Sequence, residues 1–198
     1  MISKAIYTVG RFQPPTLGHA VLIKTLVQIA SRDNSQVFVF VSRIQDKNTN
    51  PLNSSTKINF LYKLFPTGVT FIDTSKTGVP SGGPIAAFEY LNGKGFQDIT
   101  LVSGSDREDT FGPKSRMWNY LKKQDRKPPH FIAIERQFAL SGTKVRSLAL
   151  NGHLSSFRKC VMYGNVTTSD ADNLMNDIRM AYGLRPYRNR WCCPRLCW

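Results

Sequence analysis

Short apolar runs alternate with amphipathic helical patterns along most of this chain. Five runs predict β-strands, at 5–9, 37–42, 69–72, 99–103 and 131–134. Helical patterns lie between and after them, at 17–30, 55–65, 84–91, 114–123, 146–150, 154–162 and 171–182. Residues 37–41 are all apolar, which is typical of a strand covered on both faces. The alternation predicts an α/β fold: a doubly wound parallel sheet of about five strands, with helices on both faces and a C-terminal helical extension.

The length and the pattern together predict one main domain with two additions. We expect the main domain at 1–150, a helical extension of the same domain at 151–184, and a basic tail at 185–198. Cysteines gather in the tail, as Cys192, Cys193 and Cys197. Three thiols without a nearby histidine fall short of a four-ligand zinc site. The tail is compatible with an accessory segment, a nucleic-acid contact or a reading-frame accident, and the sequence does not choose among them.

Basic residues are in unusual excess. The 198 residues include 27 Lys and Arg against 13 Asp and Glu, for a net charge of +14, and the basic residues gather at 43–57, 114–127 and 185–195. Such an excess favours polyanionic partners, either nucleoside triphosphates or, through the tail, nucleic acid. No apolar run approaches the ~20 residues that cross a bilayer, and no cleavable signal precedes the first strand. We therefore expect a cytoplasmic protein, in the host cytoplasm if viral, with no membrane partner.

The link between the first strand and the first helix carries the most specific pattern of the chain. It reads Gly-Arg-Phe-Gln-Pro-Pro-Thr-Leu-Gly-His over residues 10–19. The two prolines keep the link extended, and Thr16 is a natural N-cap, which puts Gly18 and His19 in the first helical turn. A helix N-terminus with an imidazole and Arg11 beside it is suited to bind phosphate. Because ligands of such sheets bind beyond the carboxyl ends of the strands, the pattern predicts a phosphate-binding site there.

Thr16-Leu17-Gly18-His19 resembles the signature of the nucleotidyltransferase superfamily: His or Thr, any residue, Gly, His. The preceding Gly-Arg-Phe-Gln-Pro is similar to the archaeal-type nicotinamide-nucleotide adenylyltransferases in particular. A second match is 140–146, Leu-Ser-Gly-Thr-Lys-Val-Arg, which resembles the superfamily's second signature at the start of a helix. The resemblance covers residues 5 to about 160 and implies a Rossmann-like fold.

Two further segments resemble the same superfamily. Residues 101–107 end in Gly-Ser-Asp-Arg, similar to the segment that borders the nucleotide base and sugar. Asn50-Pro51 precedes a helix with Lys57, where superfamily members carry a basic residue that faces the triphosphate. Both segments also look like small nucleotidyltransferases encoded by large bacteriophages.

The resemblance implies direct transfer of a nucleoside monophosphate from a triphosphate to a small phosphate-bearing acceptor, with release of pyrophosphate. The residues expected in catalysis are His19, Thr16, Arg146 and Lys57. The residues expected to bind the nucleotide are Gly10, Arg11, Phe12, Gln13, Gly18, Gly104, Asp106, Ser141, Gly142 and Thr143. The implied cofactor is Mg²⁺, held largely by the substrate, since the sequence offers no dedicated carboxylate cage.

The substrates are less determined than the reaction. The motifs favour ATP and nicotinamide mononucleotide, although Thr16 stands where those enzymes usually have a histidine. The enzymatic alternative is a cytidylyltransferase that uses CTP and a phosphorylated alcohol. A third hypothesis is a non-catalytic nucleotide- or RNA-binding module on the same fold. A class I aminoacyl-tRNA synthetase is disfavoured, because the chain is short and lacks a Lys-Met-Ser-Lys-Ser loop.

Overall fold

The structure, a computed structural model, describes residues 3–77, 83–135 and 140–187. Its strands are β1 (Lys4–Gly10), β2 (Gln36–Val41), β3 (Thr70–Asp73), β4 (Asp98–Gly104) and β5 (His130–Ile134). Its helices are α1 (Leu17–Asp33), α2 (Ser54–Leu64), α3 (Pro84–Gly93), α4 (Glu108–Phe111), α5 (Arg116–Lys123), α6 (Gly142–Leu150), α7 (Leu154–Val161) and α8 (Thr168–Ala181).

The strands form one parallel sheet in the order β3-β2-β1-β4-β5. The chain moves outward from β1 through β2 to β3, then crosses to the other side of β1 for β4 and β5. Connections therefore leave β1 and β4 in opposite directions, which opens a crevice beyond their carboxyl ends. This order confirms the doubly wound fold predicted from the alternation of strands and helices.

Helices on both faces of the sheet bury two hydrophobic cores. One core joins the sheet to α1, α2 and the C-terminal helices and includes Val39, Leu61 and Ile178. The other joins it to α3 and α5 and includes Phe40 and Leu121. Neighbouring residues of β2 thus enter opposite cores, because side chains alternate across a strand. Two-sided burial explains why β2 is apolar at nearly every position.

The C-terminal helices pack on the main sheet domain. Phe157 of α7 and Ile178 of α8 are fully buried in the same core as β1 and β2. Arg158 Nη2 lies 2.6 Å from the Asp172 carboxylate and links α7 to α8. The carbonyl of Arg185 accepts a hydrogen bond from Arg179 Nε on α8, at 3.0 Å. The structure thus ties the first residues of the predicted tail to α8, and the tail lies outside the described residues from position 188 onward.

Element boundaries differ from the expected ones at the starts of α5, α6 and α8. The helix predicted at 114–123 begins only at Arg116, and the short α4 before it was not predicted. Four residues are too few for a hydrophobic period to show in a sequence. Within the described residues, no helix is both long and apolar enough to span a membrane.

Candidate active site

A cavity of about 600 Å³ lies beyond the carboxyl ends of β1 and β4, at the point where the strand order reverses. Its walls are the ends of these strands and the first turns of α1 and α6. Every predicted site residue except Lys57 lines this cavity. Two motifs that are far apart in the sequence therefore contribute to one site.

His19 is held at the start of α1 by the residue that caps this helix. Thr16 is in an extended conformation, with φ −132° and ψ 167°, and its backbone N–H donates to His19 Nδ1 at 3.1 Å. The Thr16 hydroxyl oxygen lies 2.9 Å from the same nitrogen. Since a backbone N–H can only donate, Nδ1 is the acceptor, and the neutral ring carries its proton on Nε2. The local structure thus presets His19 as an Nε2–H donor.

Phe12 supports the other side of the His19 ring. Phe12 is 1% exposed, and its ring centroid lies 4.8 Å from that of His19 with an angle of 49° between the planes. Its φ of 49° turns the chain sharply and brings the ring back over Gly10. A Cβ added at Gly10 would lie 2.6 Å from Phe12 Cε2, so position 10 requires glycine. Phe12 and Gly10 line the cavity, and their closest contacts serve to position His19.

Gln13 connects three segments of the site. Its side-chain amide donates to the Leu52 carbonyl at 2.6 Å and accepts from the Leu52 N–H at 3.0 Å. The backbone carbonyl of Gln13 accepts a hydrogen bond from Arg146 Nη1 at 2.7 Å. The Gln13 amide is thus engaged with Leu52, and the expectation that Gln13 binds the nucleotide stays a prediction. Gly142 packs against the same carbonyl, and a Cβ there would come within 2.5 Å of the Gln13 oxygen.

The first turn of α6 forms the wall opposite α1. Ser141 caps this helix by accepting from the Lys144 N–H at 3.2 Å. Arg146, 9% exposed, donates from Nη2 to Thr143 Oγ1 at 3.2 Å besides its bond to Gln13. A guanidinium carries five N–H donors. These two contacts therefore leave further N–H donors in the same rigid plane.

Charged residues from two strand ends complete the lining. Arg11 follows β1 and is exposed to solvent. Gly104 ends β4, and Asp106 lies two residues further on, with its carboxylate oxygen 3.7 Å from Arg107 Nε.

The surface of α1 beside the cavity is open at Gly18. Among the described residues, a Cβ added there would have only Thr16 Oγ1 within 4 Å, at 3.7 Å.

A model of the family described as cytidylyltransferase-like matches residues 7–148. The matched stretch runs from β1 to α6 and contains both motifs of the cavity. The chain belongs to the cytidylyltransferase-like family. The expectation that it is an enzyme of the nucleotidyltransferase superfamily is confirmed at this level. The resemblance to archaeal-type nicotinamide-nucleotide adenylyltransferases and to nucleotidyltransferases of large bacteriophages stays a prediction.

Solved structures share the fold of this family member at low sequence identity. A proposed nicotinate-nucleotide adenylyltransferase from Vibrio parahaemolyticus is 18% identical, with a TM-score of 0.63 over 88% of this chain and 100% of that chain. Nicotinic acid mononucleotide adenylyltransferase of Plasmodium falciparum, complexed with APC, is 12% identical, with a TM-score of 0.57 over 92% of this chain and 96% of that chain. Thermotoga maritima TmcAL bound with alpha-thio ATP is 13% identical, with a TM-score of 0.58 over 93% of this chain and 57% of that chain. A search of curated proteins finds no match.

Lys57 does not lie where the family resemblance put it. Its side chain is fully buried under α2, and Nζ donates to the Ser42 carbonyl at 2.5 Å, at the end of β2. Burial lowers the pKa of Lys57 to about 8, an effect that the charge of Asp73 partly offsets. The register of α2 turns position 57 toward the sheet, so the prediction that Lys57 faces the triphosphate is not met. Lys57 instead supports the loop that follows β2.

Sequence reasoning did not single out Thr49 and Glu135, which also line the cavity. Thr49 lies in the loop after β2, which the Asp46 carboxylate holds by accepting from the N–H groups of Asn48 and Thr49 at 2.9 and 2.6 Å. These hydrogen bonds lower the pKa of Asp46. Glu135 lies directly after β5 and is exposed. Its place after a strand was the available signal, since the carboxyl ends of parallel strands share one edge.

Proposed function

We propose that this chain transfers the adenylyl group of ATP to the phosphate of an acceptor such as nicotinamide mononucleotide and releases pyrophosphate. One observation carries the proposal: Arg146 donates to the Gln13 carbonyl and so joins the two motifs around one cavity. Two helix N-termini on one cavity supply N–H groups and positive dipole ends, which favour an anionic ligand. The cavity, of about 600 Å³, has a size suited to a nucleotide.

In the proposed reaction, an oxygen of the acceptor phosphate attacks the α-phosphorus of ATP. The new P–O bond forms as the bond to the α,β-bridging oxygen breaks, and pyrophosphate leaves with that electron pair. No covalent enzyme intermediate forms, so the protein positions the reactants and stabilises the developing negative charge. His19 donates from Nε2 to an α-phosphate oxygen. Thr16 keeps His19 in the required tautomer and orientation.

The first turn of α6 is proposed to hold the β- and γ-phosphates. Ser141 and Thr143 offer hydroxyl groups, and Arg146 offers its remaining guanidinium donors. Arg11, an exposed cation of the lining, serves the triphosphate or the acceptor phosphate in this proposal. Lys57 has no part in this arrangement, because its ammonium is committed to the Ser42 carbonyl.

Mg²⁺ is the cofactor that the family resemblance implies. Within the described residues, no group of three His, Cys, Asp or Glu side chains is placed to hold a metal ion. The carboxylates of Asp106 and Glu135 line the cavity. This donor set fits Mg²⁺ held mainly by phosphate oxygens and water, since Mg²⁺ accepts few protein ligands beside a nucleotide. When bound, the ion supplies charge neutralisation between the phosphates.

Support for the nucleotide comes from the solved structures. The T. maritima protein was bound with alpha-thio ATP, and the P. falciparum enzyme was also solved in complex with NaAD. Both favour an adenine nucleotide for this chain. The family description favours the second candidate, cytidylyl transfer from CTP to a phosphorylated alcohol. We propose that the chain acts in the cytoplasm.

A panel assay tests the proposal. The full chain is incubated with Mg²⁺, each of the four ribonucleoside triphosphates, and either nicotinamide mononucleotide, nicotinate mononucleotide or phosphocholine, and pyrophosphate release is measured. Release with ATP and a pyridine mononucleotide is expected. Release confined to CTP and phosphocholine would support the second candidate instead. Nucleotide binding without release in any pair would favour the non-catalytic module.

A further inference from the structure

The basic segment around α5 is not used by the nucleotide site. Residues 114–127 contain six basic residues and a single acidic one, Asp125. None of them lines the cavity between α1 and α6. Arg126 pairs with Glu89, whereas Lys114, Arg116 and Lys123 take part in no ion pair among the described residues. This charge therefore calls for a role other than triphosphate binding.

The face of α5 that carries these cations also carries an aromatic side chain. Met117 and Leu121 are buried against the sheet and attach the helix. Arg116, Tyr120 and Lys123 follow one another at spacings of four and three residues, so they lie on one outward face. Tyr120 is 49% exposed between the two cations. We call Lys114, Arg116, Tyr120 and Lys123 the α5 basic face.

The charges at the N-terminus of α5 do not stabilise this helix. Lys114 and Arg116 flank the N-cap residue Ser115, and the first turn contains no acidic residue. Cations near a helix N-terminus are unfavourable, because the positive end of the helix dipole repels them. The acidic residues of the neighbouring α4, Glu108 and Asp109, form no ion pair with them within the described part of the chain. Helix stability thus gives no reason for these two cations.

The N-cap residue of α5, Ser115, leaves the first turn of this helix without its usual side-chain acceptor. Its hydroxyl makes no capping hydrogen bond, and its buried oxygen has no partner among the described residues, although the residue is only 2% exposed. Serine at this position ordinarily accepts from a first-turn N–H group. The first-turn N–H groups of α5 are left without that acceptor. An anionic oxygen would satisfy them and would neutralise Lys114 and Arg116.

We propose that the α5 basic face binds a single-stranded polynucleotide. A backbone phosphate sits at the N-terminus of α5 between Lys114 and Arg116, a base stacks on Tyr120, and Lys123 meets a further phosphate. Cations interleaved with an exposed aromatic ring suit single strands, whose bases are free to stack, better than a duplex or a lipid surface. This surface is separate from the nucleotide cavity and does not depend on the proposed reaction.

The first test measures binding of a labelled oligonucleotide of about 15 nucleotides by fluorescence anisotropy over a series of salt concentrations. The triple variant Lys114→Ala, Arg116→Ala, Lys123→Ala removes three cations from the face. The matched control Lys24→Ala, Arg32→Ala, Lys159→Ala removes three exposed cations from α1 and α7, on the other face of the sheet. The triple variant should raise Kd about tenfold. It should also reduce the slope of log Kd against log salt concentration by an amount that corresponds to about two phosphate contacts, while the control changes Kd less than about twofold. Equal losses in both, or none in either, would overturn the proposal.

The second test separates a single strand from other polyanions. Tyr120→Ser should weaken single-strand binding about tenfold and leave duplex binding within about twofold, because only unpaired bases stack on the ring. An unchanged single-strand Kd contradicts the assignment, as does tighter binding of phosphatidylserine vesicles through the same residues. Circular dichroism melting checks that each variant is folded. If the triple variant fails this check, Arg116→Ala and Tyr120→Ser decide the question.

Discussion

At the scale of single residues, the site depends on small contacts that fix His19. The ring of Phe12 occupies the space in which a side chain at position 10 would lie, and it supports His19 from one side. On the other side of the ring, the backbone N–H of Thr16 donates to His19 Nδ1. Phe12, Gly10 and Thr16 therefore determine where the proposed donor sits.

Gly10→Ala tests this dependence. The new Cβ would lie 2.6 Å from Phe12 Cε2, so the ring and with it His19 must move. We expect turnover to fall about 10²-fold, as small displacements of positioned groups do. Gly93→Ala is the matched control, because a Cβ there meets nothing within 4 Å. Steady-state kinetics of both variants give the comparison, and equal activity in the two would show that Phe12 does not position His19.

Arg146→Lys tests the forked contact of the second motif. Lysine retains one donor for the Gln13 carbonyl and loses the planar set that also reaches Thr143 and the cavity. We expect kcat/KM to fall more than tenfold, since forked phosphate contacts are stronger than single ones. The free energy of unfolding in urea should change by only about 1 kcal/mol. A large loss of stability with normal turnover would mean that Arg146 is purely structural.

At the scale of elements, the order of strands and helices followed from the sequence, but the direction of individual side chains did not. The alternation of apolar runs is local and shows directly in the pattern. Lys57 was misassigned because the face of α2 that turns inward depends on how the helix packs on β2 and β3. The contact of Gln13 with Leu52 was not predicted, because Leu52 lies in a loop whose approach no local pattern announces. Both motifs of the cavity were found because their helix starts are encoded by adjacent residues.

Lys57→Met tests the structural role of this buried ammonium. In the folded chain the pKa of Lys57 falls from 10.5 to about 8, so between these values the unfolded state binds more protons. The free energy of unfolding contributed by Lys57 therefore rises as pH increases through about 8 toward 10.5.

The measurement is urea unfolding at a series of pH values for the wild type and Lys57→Met. The stability of the wild type relative to Lys57→Met should fall as the pH decreases from 10.5 to about 8 and should level off below that, because the wild type then buries a charge. Pyrophosphate release by Lys57→Met should stay within about threefold of wild type, since the side chain lies outside the cavity. A loss of turnover without a loss of stability would restore Lys57 to the triphosphate.

At the scale of the whole molecule, the described residues that line the nucleotide cavity all fall within residues 8–146. Arg185 and Tyr187 contact α8 through Arg179 and Asn176, so the described part of the chain ends in contact with α8. Truncation after Tyr187 should therefore keep turnover within about twofold of the full chain. It should also lower single-strand affinity if the arginines of the tail reach phosphates. A folded truncated chain without activity would place the tail in the catalytic site.

The measurement that tests the central claim most directly compares wild type and His19→Ala on the best substrate pair from the panel. Nucleotidyl transfer is followed both by pyrophosphate release and by the mass of the nucleotidylated acceptor. We expect both products from the wild type, and a rate about 10²–10³-fold lower from His19→Ala with an unchanged melting temperature, as removal of a transition-state donor produces. An equal rate from a well-folded His19→Ala variant would contradict the assignment of the site.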